Sequence, residues 1–224
     1  TMGSGDAELQ RAAVEGLALL ADPSTAALLV SFVRRGPESS LYLPARAGVL
    51  ALGDAAWPEL RRLAISDRPE LRREAGLLLA EQGAADAVPI LIQLLLEVPD
   101  DGRVLNELAV LTCVDFRGDT EPARSWSAWW ETAVQDGSLA WFRGAQERAG
   151  IDAAPLGSLE GEGTLAGAQS LIETLALPGS PPLAERAERE LERLLGVDLE
   201  RPADRALDAE WRALLRERAV EHYR

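Results

Sequence analysis

Between Leu9 and Leu96 the chain repeats one pattern: a helix, a short turn and a second helix, with small and apolar residues returning to the same places. The first unit runs Arg11 to Asp22, followed by a second apolar run from Ala26 to Val33. The next is Arg46-Ala-Gly-Val-Leu-Ala-Leu-Gly-Asp54, followed by Ala55 to Ala64. The third is Arg73-Glu-Ala-Gly-Leu-Leu-Leu-Ala-Glu-Gln-Gly83, followed by Ala84 to Leu96. Arg11, Arg46 and Arg73 are spaced by 35 and 27 residues, in or near the range of helical repeats. One such pair cannot bury its own apolar face, so each unit must stack on its neighbours. That constraint selects a fold which presents a surface instead of enclosing a pocket.

Composition agrees with helix. Apolar residues make up 47% of the chain, which rules out a disordered tail, and Leu and Ala dominate over β-branched and aromatic types. With 23 basic against 37 acidic side chains the net charge is −14, divided as −5 over residues 1–100 and −9 over 101–224. Both halves would be repelled by a phosphate backbone, so nucleic acid is not an expected partner. Every basic residue is Arg, which excludes lysine Schiff-base chemistry and a Walker-type phosphate lysine. His222 is the only histidine and Cys113 the only cysteine, too few for a His-based metal cluster, a Ser-His-Asp triad, an intramolecular disulfide or a Cys-rich metal site. No metal and no cofactor are expected. No apolar run reaches the roughly 18 residues of a membrane-spanning helix, so no membrane insertion is expected. Thr1-Met-Gly-Ser-Gly5 reads as a cloning scar. A reducing cytosol is the expected compartment, with a cell envelope the alternative if a targeting segment has been cut away upstream.

Breaks in the periodicity place the helix ends. Leu9, Ala12, Ala13, Leu17 and Leu20 share a helical face and are expected to line the core. Asp22-Pro23-Ser24 ends that helix, and Ser24 is expected to cap the next. Gly36-Pro37 ends the second helix, and Pro44 suits the entry to the third. Asp67 is expected as the cap before Pro69, while Gly53 and Gly83 are expected to close their helices. Ala47, Gly48, Ala51, Ala75, Gly76 and Ala80 are small enough for close helix approach. Leu50, Leu52, Leu60, Leu63, Leu78, Leu79, Leu91, Leu94 and Leu95 are the expected seam.

The segments Arg46–Asp54 and Arg73–Gly83, each followed by an Ala-rich turn and a Leu-rich second helix, resemble HEAT repeats. The resemblance implies an all-α fold, a right-handed α-solenoid of HEAT-like helix pairs with armadillo-like character, over residues 6–98. It implies a function only broadly, since HEAT-like repeats serve in scaffolds, adaptors, transport receptors and a few enzymes. Leu111-Thr-Cys-Val-Asp-Phe116 followed by Trp126-Ser-Ala-Trp-Trp130 resembles bacterial HEAT-repeat proteins in which a Leu-Thr-Gly-x-Asp-Phe turn precedes a Trp-x-x-Trp-Trp helix. Cys113 stands where that pattern has Gly. Glu190–Leu199 repeats Glu107–Phe116 at a constant offset of 83, and Trp211 corresponds to Trp129 after a one-residue slip. The expected organisation is therefore residues 6–98 as HEAT-like repeats, 99–152 as a Trp-rich variant repeat, 153–167 as a Gly-rich acidic linker and 168–224 as a second, looser copy.

Four of the six tryptophans, Trp126, Trp129, Trp130 and Trp141, fall within sixteen residues. The first three share a helical face, which fits a packing anchor or an aromatic binding platform. Trp130 and Trp141 are the two expected to stay partly exposed, and Trp57 at the start of a second-layer helix is a third candidate. Asp115, Asp119 and Glu121 are too few for a calcium loop, and Asp119 or Thr120 is expected to cap the helix near Pro122. Arg117-Gly118-Asp119 matches an adhesion tripeptide but lies in a turn the repeat already explains. No nucleophile motif or phosphate loop accompanies the many carboxylates, so no catalytic residue is assigned. Leu183–Leu195 interleaves opposite charges at helical spacing and is expected to present a solvated outer face. The expected function is a non-enzymatic protein-interaction scaffold or adaptor, binding a protein partner with a basic surface or peptide. The alternatives are a helical-repeat lyase or other enzyme holding a small ligand in the groove, and a structural module of a larger protein, which an exposed apolar patch at the Leu9 end would favour.

Overall fold

A computed structural model describes residues 4–158, 165–177, 180–196 and 209–223, and among these the regular structure is helical throughout. The chain divides into two compact units, residues 1–107 and 108–224. Among the described residues, no helix is long and apolar enough to cross a membrane.

In the first unit the helices are α1 (Ser4–Leu20), α2 (Ala26–Val33), α3 (Tyr42–Leu52), α4 (Trp57–Ala64), α5 (Pro69–Glu81) and α6 (Ala87–Glu97). Of the pairs the repeats predict, α5 with α6 is closely packed, whereas α1 with α2 and α3 with α4 are not. α3 packs on both α1 and α2, and α5 packs on both α4 and α6. The close approaches come from glycine. A Cβ on Gly48 would lie 2.9 Å from the Ala18 Cβ, and one on Gly76 would lie 2.9 Å from Ile90 Cγ2. Of the expected leucine seam only Leu50 is not buried, whereas Ala47 and Ala51 are exposed. Gly53 and Gly83 close their helices as expected, both at positive φ (57° and 80°).

The recurring arginine has a physical role. Arg46 reaches forward from α3 to Glu74 (Nε–Oε1 3.3 Å) and Glu81, both on α5, and Tyr42 donates its hydroxyl to Glu74 at 2.7 Å. Arg73 repeats the reach one unit on, meeting Asp101 through two hydrogen bonds of 2.6 and 2.9 Å. Arg46 and Arg73 thus each staple their helix to an acid 28 residues later. Arg11 departs from this and pairs with Glu15 on its own helix at 2.8 Å.

Several local expectations are corrected. Leu9, Ala12, Ala13 and Leu20 are exposed. The side of α1 turned to the core carries Val14, with Leu17 and Ala18 half-buried. The helix is apolar on two sides, and periodicity alone cannot choose between them. Ser24 does not cap α2, which starts after Thr25 with no side-chain cap; Asp22 instead caps the single 3-10 turn Pro23–Thr25, its carboxylate accepting the Ser24 N–H at 2.9 Å after a left-handed Ala21. Asp67 caps nothing: Ser66 Oγ accepts the Arg68 N–H, and the Arg72 guanidinium takes the Ser66 and Asp67 carbonyls.

α7 (Gly102–Thr112) contains the division between the units. The second unit continues with α8 (Pro122–Ala133), α9 (Gly137–Arg148), α10 (Leu165–Leu175), α11 (Pro181–Leu195) and α12 (Ala209–His222). Phe142, Leu156, Leu171, Leu191 and Leu215 belong to one core. Leu156 lies in the segment expected to be a linker, yet it is fully buried, so that segment begins as a packed turn. Residues 159–164 of that linker lie outside the described residues, and 165–167 are not linker but the first turn of α10. α11 is likewise less solvated than its charge pattern suggests. Leu183, Ala187, Leu191 and Leu195 face the core, and Arg186 is buried beside them, paired with Glu190 at 2.6 Å.

Candidate functional site

The tryptophans sort by helical position. Ala123, Trp126 and Ala133 form the inward stripe of α8, and Trp126 is fully buried. Its indole N–H donates to Thr112 Oγ1 at 3.3 Å, and its ring meets Phe116 edge-on at 5.4 Å. Thr112 Oγ1 in turn donates to the Leu108 carbonyl at 2.7 Å. The Leu-Thr-Cys-Val-Asp-Phe turn and the Trp helix therefore depend on each other: the turn supplies both the hydrogen-bond acceptor and the ring that fix Trp126. Cys113 makes that turn in the left-handed conformation, φ 54°, without a glycine. Gly196, its counterpart at the 83-residue offset, is left-handed too, φ 63°. Val197–Leu199, the rest of that copy, lie outside the described residues.

Trp129 and Trp130 flank the inward stripe and are half-buried. Both set their rings edge-on to Trp141 of α9, at centroid distances of 5.0 and 5.7 Å, a geometry that aligns ring edges with ring faces. Trp141 does not stay partly exposed as expected. Its indole N–H donates to the Ala133 carbonyl at 2.9 Å, which draws the ring inward and ties α9 to the end of α8. Trp57, the third candidate, belongs to the other unit. It is half-buried, with the Arg61 guanidinium 5.5 Å over its ring.

Beside this aromatic cluster a cleft of about 310 Å³ is lined by Thr112, Val114, Trp129, Ala133 and Trp141, with Thr132, Asp136 and Arg148 among its exposed side chains. Trp129, the tryptophan not singled out from sequence, lines it, whereas Trp130 only supports Trp141. Spacing held no signal for this, since Trp129 and Trp130 flank the Ala123, Trp126 and Ala133 stripe on either side and fit helical spacing equally well. Asp136 and Arg148 could not have been found, because only the packing of α8 on α9 brings them to one opening.

The neighbouring acids do not converge. Asp115 binds Arg117 through two side-chain hydrogen bonds of 2.8 and 2.6 Å, which hold its carboxyl below the usual range. Asp119 accepts the Ser125 hydroxyl at 2.6 Å and Glu121 pairs with Arg124. Neither Asp119 nor Thr120 caps α8, whose first residue follows Glu121 with no side-chain cap. Among the described residues, no three His, Cys, Asp or Glu side chains are grouped to hold a metal ion. Cys113 packs against the core of its unit, and burial pushes its thiol up to about 12, far from a nucleophilic thiolate at neutral pH. Compared with protein-family models, curated proteins and solved structures, the chain finds no match among any of them.

Proposed function

We propose that the chain is a non-enzymatic protein-interaction scaffold, its first unit a short right-handed solenoid of HEAT-like helix pairs, and that the α8–α9 cleft receives an anchoring side chain from a basic partner. The observation carrying this reading is the half-buried Trp129 beside the buried Trp141 at a cleft open to solvent. A volume of about 310 Å³ lies at the small end of ligand pockets, which suits one inserted side chain better than a whole cofactor. Tryptophan is enriched among interface hot spots because a large rigid ring buries much area with few rotamers. An arginine or lysine stem fits such a floor, with its cation over the Trp129 ring and within reach of the exposed Asp136 carboxylate. The net charge of −14 adds long-range attraction for a basic segment, which raises the association rate and makes it salt-sensitive.

Selection from a displayed random-peptide library tests this. Enrichment of peptides with Arg or Lys beside an apolar residue, lost with Trp129→Ala, is the expected result. Enrichment of acidic peptides, or binding indifferent to Trp129→Ala, would overturn it. The reading as a structural module of a larger protein draws on a different observation, the exposed leucines of α1.

A further inference from the structure

Asp136, at the N-cap of α9, is followed at four-residue intervals by Ala140, Gly144 and Arg148, and all four line the cleft beside Trp129 and Trp141. Residues so spaced share one side of a helix. Ala140 and Gly144 leave the middle of this side open, with an acid at one end and a base at the other.

Neither charge is spent within the protein. Asp136 precedes the first turn of α9, yet its carboxylate caps no N–H group there. Arg148 ends the last turn, where a cation ordinarily turns towards the final carbonyls. It leans back one turn instead, so that its Nη1 would lie 3.3 Å from a Cβ on Gly144. Among the described residues, neither side chain forms an ion pair or a hydrogen bond. The hydroxyls of Thr112 and Thr132, also at the cleft, are occupied, donating to the Leu108 and Trp129 carbonyls. At about 1.5 Å of rise per residue, Asp136 and Gly144 are about 12 Å apart along the helix. That exceeds the Debye length of about 8 Å at physiological salt, so the acid and the base do not neutralise each other. A basic side chain held by Trp129 and Asp136 therefore leaves a guanidinium over Gly144 without its anion.

Resting on the cleft reading above, we propose that the anchoring residue is the partner's C-terminal one. It is an arginine or lysine whose side chain passes the Trp129 ring to Asp136 and whose terminal carboxylate binds Arg148. An extended lysine separates its ammonium from its carboxylate by about 7 Å. A charge-assisted hydrogen bond of about 2.8 Å at each end brings the span to about 13 Å, which matches the separation along α9. The guanidinium offers paired N–H groups to both carboxylate oxygens. One residue thus satisfies both ends, and a cleft of about 310 Å³ suits one residue. An internal arginine or lysine has no carboxylate of its own, and its chain would have to leave the cleft in two directions.

Two pools of fluorescein-labelled hexapeptides, random upstream and ending in Arg or Lys, test this on the immobilised full chain. One pool carries the free carboxylate and the other is amidated. The acid pool should be retained at least about tenfold better, the effect of one hydrogen-bonded charge pair. Arg148→Gln, at an exposed position, should keep the circular dichroism spectrum and abolish that preference. Free arginine should compete weakly, because its own ammonium would lie beside the Arg148 guanidinium. Both pools retained alike, and both lost with Trp129→Ala, would leave the basic anchor standing and overturn its C-terminal placement. A preference for the acid that survives Arg148→Gln would overturn that placement too, as would free arginine competing as strongly as the peptides. Retention of neither pool would overturn the anchor and its placement together.

Discussion

Replacing Gly48 by alanine sets two terms against each other. In a helix interior the change gains about 0.8–1.0 kcal/mol of helix propensity. At this position the new Cβ would lie 2.9 Å from Ala18 Cβ, 2.9 Å from Leu29 Cδ1 and 3.0 Å from Ala18 Cα. The last of these is backbone, so α1 itself must retreat from α3 instead of one side chain turning aside. Overpacking of this kind costs about 1–3 kcal/mol, leaving Gly48→Ala destabilising by about 1 kcal/mol. Gly16→Ala is the matched control, with the same propensity gain and no atom within 4 Å, and it should stabilise. With a urea slope of about 2 kcal/mol/M the two midpoints should differ by about 0.5–1.5 M. Urea titration by circular dichroism measures the pair, and hydrogen exchange should localise the Gly48→Ala loss to α1 and α3. Equal shifts in the same direction would refute the close-packing account of this seam.

Three further predictions follow from hydrogen bonds and titrating groups. Thr112→Val leaves the buried Trp126 indole N–H without its acceptor and should cost about 1–3 kcal/mol in denaturant titration. The hydrogen bond from Arg73 holds the Asp101 carboxyl below its ordinary value, so its contribution is complete above the unfolded pKa of about 4 and fades as pH falls through the folded one. Asp101→Asn should therefore lower the melting temperature at neutral pH, and the gap to wild type should close in strong acid. Burial, then the hydrogen bond to Glu74, pushes the Tyr42 hydroxyl up to about 12. Its contribution is complete below the unfolded value of about 10 and is lost as pH rises towards 12, so Tyr42→Phe should flatten the alkaline fall in stability seen in thermal melts.

Much of the first unit was legible because its signals are local. Gly53 and Gly83 must stop helices, and the leucines between them fall at core spacing whatever the tertiary arrangement. Rotation was not legible where a helix carries two apolar stripes: α1 offered Leu9, Ala12 and Leu20 as readily as Val14 and Ala18, and only the glycine at 48 on another helix decides between them. Caps failed for a related reason. Ser24 and Asp67 have the right chemistry, but α2 and α5 begin with no side-chain cap, and Asp22 and Ser66 bond the Ser24 and Arg68 N–H groups just ahead of them. In the cluster near α8 the residue types pointed to the right helices. Yet the burial of Trp141 depends on the Ala133 carbonyl, and the lining of the cleft by Trp129 depends on how α9 folds back. Buried polar contacts such as Gln146 with Thr174 leave no trace in periodicity at all.

The most direct test of the scaffold reading is affinity capture from the native organism's lysate at low and high salt, comparing wild type with Trp129→Ala. A basic protein retained by wild type at low salt, released at high salt and poorly retained by Trp129→Ala is the predicted result. Retention of nothing, or of the same proteins by both baits at both salts, would contradict it.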